Sequence, residues 1–160
     1  MGQSLSAHLH EICSGLVAAF SSDQQPVHVD YRYNNCAIPT KLVQPLTLIV
    51  NEMILNALKY AHPAGVPLRL SVACDVRGNA LVLTVDDDGI GLPEGFDPAK
   101  DGDLGFRVIR SLCQELHAVL DVQFSSLACD PQPPWLLPGI ACRVGCSVFE
   151  PRHVVRDHRA

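Results

Sequence analysis

The segment from Thr40 to Tyr60 constrains the fold most, because Leu46, Val50, Met53 and Ala57 recur at helical spacing and form a stripe that has to be covered. Thr40 is placed to cap this helix, and Pro45 is tolerated near its start. Its second half, "NEMILNALKY", carries Glu52, Asn56 and Lys59 at spacings of four and three. At about 100° per residue the three heads fall within roughly 60° of one another and about 130° from the apolar stripe. Leu48 and Leu55 flank them, so this side is not a uniformly solvated face. An asparagine there competes with the helix backbone, which favours a functional face over a passive polar stripe.

The helix needs a sheet to lie on, and period-two segments supply one. "VHVDYRY" (27–33) alternates, and "CAI" (36–38) adds a short strand. "LRLSVACD" (68–75) and "ALVLTVDD" (80–87) read as a hairpin turning at Gly78 and Asn79. "AVLDVQF" (118–124) and "IACRVGCSVF" (140–149) end the pattern, separated by a proline-rich insert that Trp135 tucks down. A first helix spans residues 4–21 through Leu5, Leu9, Ile12, Leu16 and Phe20, and a third begins at Leu104. The reading is α+β: a two-layer sandwich of a mixed, mostly antiparallel sheet covered on one face by about three helices. Residues 1–150 form the domain and 151–160 a flexible tail.

Composition closes off several classes. The 160 residues suffice for one core, and a formal charge of −5 with no Lys/Arg cluster argues against a nucleic-acid partner. No apolar run approaches membrane-spanning length and no signal-peptide pattern opens the chain, so this segment is expected to be cytoplasmic and free of the membrane. "MGQSLS" formally fits an acylation pattern but reads as a plain start. Seven cysteines, without zinc spacing, fit a reducing compartment, with Cys74, Cys142 and Cys146 as small core residues.

A second cluster, "VDDDGIGLP" (85–93), continues a strand whose inward residues are Leu81, Leu83 and Val85. Period two puts Asp87 on the same inward face, while Asp86 and Asp88 point outward or enter the turn. A buried carboxylate needs donors, and a ligand with an exocyclic amine, such as adenine, supplies one. Gly89 and Gly91 let the backbone turn and approach a flat ring. A Ca²⁺ loop is the rival reading, but further ligands at EF-hand spacing are missing. The third cluster, "DGDLGF" (101–106), opens the third helix, where Gly102 and Gly105 leave amides at the positive end of the dipole to face an anion.

In this order and spacing the three clusters resemble the ATP-binding domain of sensor histidine kinases, within the Bergerat-fold superfamily of ATPases and kinases. The likeness is to the subfamily whose long helix reads "LIVNE..xNAxKYA", here Leu48 to Ala61, and whose third box reads "LGFRVIRSL", here Leu104 to Leu112. The resemblance implies ATP and Mg²⁺ as cofactors, with Asn56 coordinating the metal and Glu52 and Lys59 as catalytic groups beside the phosphates. It implies a nucleotide site of Asn56, Lys59, Tyr60, Asp87, Gly89, Gly91, Gly102, Leu104 and Gly105, with a mobile lid from about Leu92 to Leu104. Arg107 and Arg110 would face either phosphate or solvent. Asp103 departs from the usual third box and puts an acid near the phosphates, either weakening ATP or pointing outward.

The resemblance also implies partners: a histidine-bearing dimerisation domain of the parent kinase and a response regulator. Only one helix precedes the first strand, so the chain is expected to be the catalytic half, unable to autophosphorylate alone. His8 and His10 are read as surface residues rather than acceptors, and His62 as a cap at the end of the second helix. The alternatives are an anti-sigma-factor-type serine kinase of the same superfamily and an inactive docking module for a response regulator.

Overall fold

A computed structural model describes residues 2–34, 37–63, 65–77, 80–124 and 140–147 of the chain. The expected turn at Gly78 and Asn79, the insert with Trp135 and the tail at 151–160 lie outside the described residues. The elements run β1 (Gly2–Ser4), α1 (Leu5–Phe20), β2 (Val27–Tyr33), β3 (Ala37–Pro39), α2 (Thr40–Tyr60), β4 (Leu68–Arg77), β5 (Ala80–Asp87), α3 (Leu104–Glu115), β6 (Val119–Phe124) and β7 (Ile140–Ser147).

Five strands form one sheet in the order β2-β4-β5-β7-β6, with β2 and β4 parallel and the other pairs antiparallel. The three helices lie on one face, α1 against β2, α2 against β5 and α3 against β6, and α2 touches both other helices. This is the two-layer α+β sandwich expected from the sequence. β5 shows why the layers stay in register: Leu81, Leu83, Val85 and Asp87 are buried, and the residues between them are only partly so. A slip of one residue would turn all four away from the helices. Opposite them, the β7 register sets Cys146 across from Leu81 and Cys142 across from Val85.

α2 is the central helix, with Leu46, Ile49, Val50 and Ile54 buried to within 1 % against Leu9 of α1 and the sheet residues Leu70 and Leu83 in one core. Its start differs from expectation. Pro39, at φ −54° and ψ 134°, precedes the helix without a side-chain cap, and Thr40 is already the first helical residue. The cause is a strand that the periodicity did not reveal: β1 pairs antiparallel with β3 and sets Gly2 opposite Pro39, so the chain enters α2 from an extended proline. α3 ends in a Schellman turn, with His117 at φ +51° and the Ala118 N–H returning to the Cys113 carbonyl at 2.8 Å. No helix among the described residues is long and apolar enough to cross a membrane.

Candidate functional site

The end of β5 and the end of α2 are fastened together at a contact only glycine permits. A Cβ on Gly89 would lie 2.5 Å from both Cα and Cβ of Ala61, and the Ile90 N–H donates to the Ala61 carbonyl at 2.8 Å. The immediate reason for glycine at 89 is therefore the backbone of α2, not a flat ring. Gly91, at φ +87°, then turns the chain through a region that side chains avoid. His62, just past α2, adds a second fastening through Nε2 to Asp88 Oδ1 at 2.9 Å, and the same oxygen accepts the Arg69 N–H at 3.0 Å. His62 thus pairs across to the strand instead of capping its own helix, and Asp88, just past the end of β5, enters the turn and is largely covered, the second of the two placements its phase left open.

This junction holds Asp87 in place. It is 5 % exposed, and its Oδ1 accepts the Gly89 N–H at 2.8 Å. Its carboxylate lines a cavity of about 500 Å³, including space open to solvent, between α2, α3 and the sheet. Met53 and Ala57 of α2 with Ala61 just past its end, Val85 and Val122 of the sheet, and Ile109 of α3 make the walls, and Leu92 and Phe106 close the side toward the following loop. A slot that is apolar except for a carboxylate at one end suits a planar heterocycle bearing an amine.

Asn56 and Tyr60 line the other end of the cavity. There Glu52 Oε2, Asp103 Oδ1 and Asn56 Oδ1 lie 2.8, 3.2 and 3.3 Å from the point where a Cβ on Gly105 would stand. Gly105 thus starts α3 within contact distance of the polar face of α2, and a methyl group there would push the Glu52 carboxylate aside. The Asn56 Nδ2 is buried with no hydrogen-bond partner, a condition that usually costs about 1–3 kcal/mol and that a ligand would relieve. Convergent carboxylate and carboxamide oxygens are the donor set that a hard divalent cation takes, so these residues fit Mg²⁺.

Asp103 is the N-cap of α3 and accepts the Phe106 N–H at 3.2 Å, while its Oδ2 accepts the Tyr60 hydroxyl at 2.9 Å. Desolvation is the largest single influence and pushes its carboxyl up, but the Phe106 N–H, the Tyr60 hydroxyl, the Gly105 N–H and the Lys59 charge together outweigh it and hold the carboxyl below the usual carboxylate value. Tyr60 correspondingly rises, through its hydrogen bond to Asp103. Gly102 sits at φ +103°, where a Cβ would press on Phe106. Leu104 is 72 % exposed and does not line the cavity.

The loop between the clusters is more organised than its composition suggested. Asp97 accepts the Ala99 N–H at 2.9 Å and donates its own N–H to Asp101, while Phe96 packs edge-on against Phe106 at 5.3 Å. Arg110 reaches back from α3 to the Pro98 and Asp101 carbonyls. Its guanidinium is engaged by the loop, neither of the two destinations its position left open. These contacts were illegible because a loop has no periodicity. His10 stacks edge-on against Tyr31 at 4.7 Å, an α1–β2 contact remote in kind from the polar cluster.

Comparison with known proteins agrees with this geometry. Residues 42–134 match the family described as histidine kinase-, DNA gyrase B-, and HSP90-like ATPase. The chain is 37% identical over 100 residues to Blue-light-activated histidine kinase 2 of Erythrobacter litoralis, a match covering 60% of this chain and 28% of that protein. It is 26% identical over 93 residues to Sensor histidine kinase PdtaS of Mycobacterium tuberculosis, covering 58% and 19%. The chain thus spans less than a third of either relative. Among solved structures, the histidine kinase domain of the Erythrobacter litoralis EL346 blue-light activated histidine kinase superposes with a TM-score of 0.76 at 25% identity, covering 91% of this chain and 61% of that one. The Acinetobacter baumannii histidine kinase AdeS, at 15% identity, TM-score 0.68 and coverage of 94% and 68%, shares the fold. The chain belongs to the histidine kinase-, DNA gyrase B-, and HSP90-like ATPase family.

Proposed function

We propose that this member of the ATPase family is the ATP- and Mg²⁺-binding catalytic domain of a two-component sensor histidine kinase, in which residues 1–150 are the domain and 151–160 a tail. The observation that carries the reading is the two-ended cavity: a buried carboxylate in an apolar slot at one end, convergent oxygens beneath a helix N-terminus at the other. Asp87 accepts the exocyclic amine of adenine, with Gly89 holding that carboxylate and Gly91 shaping the turn beside it. Asn56, with Glu52 beside it, would hold Mg²⁺, which when bound neutralises and orients the phosphates.

Lys59 contributes a positive charge at the phosphate end, and Tyr60 forms the rim. Gly105 lets the first amides of α3 approach, and Gly102 and Leu104 belong to the lid edge. Glu52 is the carboxylate placed to polarise the acceptor or order water. Phosphoryl transfer depends mainly on positioning and charge neutralisation, which these groups provide. The γ-phosphoryl goes to a histidine on a dimerisation domain of the parent kinase and then to a response regulator, in the cytoplasm. The 160-residue chain alone binds nucleotide without autophosphorylating.

Calorimetric titration of ATP with and without Mg²⁺, on wild type and Asp87→Asn, tests the assignment. The wild type is expected to bind Mg·ATP, and Asp87→Asn to weaken it by about 30-fold or more, as loss of a buried charge-assisted hydrogen bond predicts. A wild type that binds no nucleotide, or an Asp87→Asn variant that binds as well as wild type, would overturn it.

A further inference from the structure

The amides at the start of α3 are where an incoming phosphate would be expected to find donors, yet they already hold an anion. Asp103 Oδ1 accepts the Phe106 N–H at 3.2 Å, and the Gly105 N–H also points to this carboxylate. Its other oxygen takes the hydroxyl of Tyr60, the rim residue, at 2.9 Å, and the ammonium of Lys59 lies close enough to act on it. Four groups that could greet a phosphate are thereby turned toward one carboxylate of the chain itself. Glu52 is a second carboxylate at the same place: its Oε2 and Asp103 Oδ1 lie 2.8 and 3.2 Å from the one point beside Gly105. Two negative charges thus face the phosphate end of the cavity.

We propose that Asp103 is a specificity-determining residue that makes nucleotide binding depend on a divalent cation, by occupying the amide end of α3 as a resident anion beside Glu52. This rests on the nucleotide assignment above. A bare triphosphate meets the two carboxylates as like charges and has to displace one of them from its amides. A triphosphate carrying Mg²⁺ arrives with a cation that both carboxylates and the Asn56 oxygen attract. The adenine end, Asp87 in its apolar slot, is unaffected by either condition. The residue therefore filters by the charge state of the phosphates and not by the base.

The test is titration of the whole 160-residue chain with ATP in excess Mg²⁺ and in EDTA, with adenosine as a probe of the Asp87 end. Asp103→Ser is the informative variant, since serine also caps a helix, and circular dichroism confirms that it folds. The ratio of the Kd in EDTA to the Kd in Mg²⁺ is expected to be at least about tenfold larger for wild type than for Asp103→Ser, because one like charge near the phosphates has been removed. Adenosine affinity is expected to stay within about twofold. Equal ratios in wild type and folded Asp103→Ser would overturn the proposal while leaving the nucleotide assignment standing. A wild type that binds neither ATP nor adenosine would overturn both.

Discussion

The two ends of the cavity are built on opposite terms. At the inner end, Asp87 is 5 % exposed, its oxygen is held by the Gly89 N–H, and Gly89 is wedged against Ala61 with no room for a methyl group. At the outer end, Tyr60 is 58 % exposed and donates its hydroxyl to Asp103, and Arg110 donates to the loop carbonyls of Pro98 and Asp101. The inner end is part of the core and is preorganised by packing. The outer end is a set of exchangeable polar contacts, which a ligand can replace without disturbing the sandwich. Recognition of a base requires the first property, and entry of a charged tail past a lid requires the second.

That contrast can be broken by mutation. Gly89→Ala should have the largest effect, about 3 kcal/mol of destabilisation and a fall in Tm of roughly 6–12 °C, because the new methyl meets backbone that cannot yield. A change below about 2 °C in thermal unfolding would show that the inner end is not rigid. Arg110→Met should cost less, about 1.5 kcal/mol, and the loss should be local. Hydrogen exchange over residues 96–101 is expected to accelerate while the β4–β5 amides stay protected; uniform acceleration would contradict a loop that opens independently of the sheet.

Asp103→Ala should cost about 1 kcal/mol near neutral pH by removing the cap. The sign with pH follows from its lowered carboxyl. Its contribution is present above the ordinary carboxylate value of about 4 and fades as pH falls through the lower folded value. The gap in Tm between wild type and Asp103→Ala should therefore close on acidification, and a gap that widened would show that the ionised carboxylate is not what stabilises the turn. The smallest change is expected far from both ends. His117→Gly should gain about 0.5 kcal/mol by relieving φ +51° at the end of α3, leaving nucleotide affinity untouched.

Most of the sandwich was legible because its elements are periodic. β2, α2, β5 and α3 fall where the apolar spacing puts them, and the inward phase of Asp87 follows from Leu81, Leu83 and Val85. β1 was not legible, since a three-residue strand at the chain's start has no period to count and exists only through its pairing with β3. The cap of α2 failed for the same reason: Thr40 has the right chemistry, but the incoming strand places Pro39 at the boundary. Within the site, the polar heads of Glu52, Asn56 and Lys59 could be grouped by helical angle. What they face could not.

The order of residues along α2 determined that three polar heads share a side, and the alternation in β5 determined that one carboxylate turns inward with the core. Both follow from local geometry, which repeats from residue to residue. Only the tertiary structure decided that Gly89 is demanded by Ala61, that Gly105 passes beside the heads of Glu52 and Asn56, and that Asp103 and Arg110 spend their charges on α3 amides, Tyr60 and loop carbonyls. These are contacts between segments separated by up to about fifty residues, and no pattern within a single segment encodes the distance at which another backbone will pass.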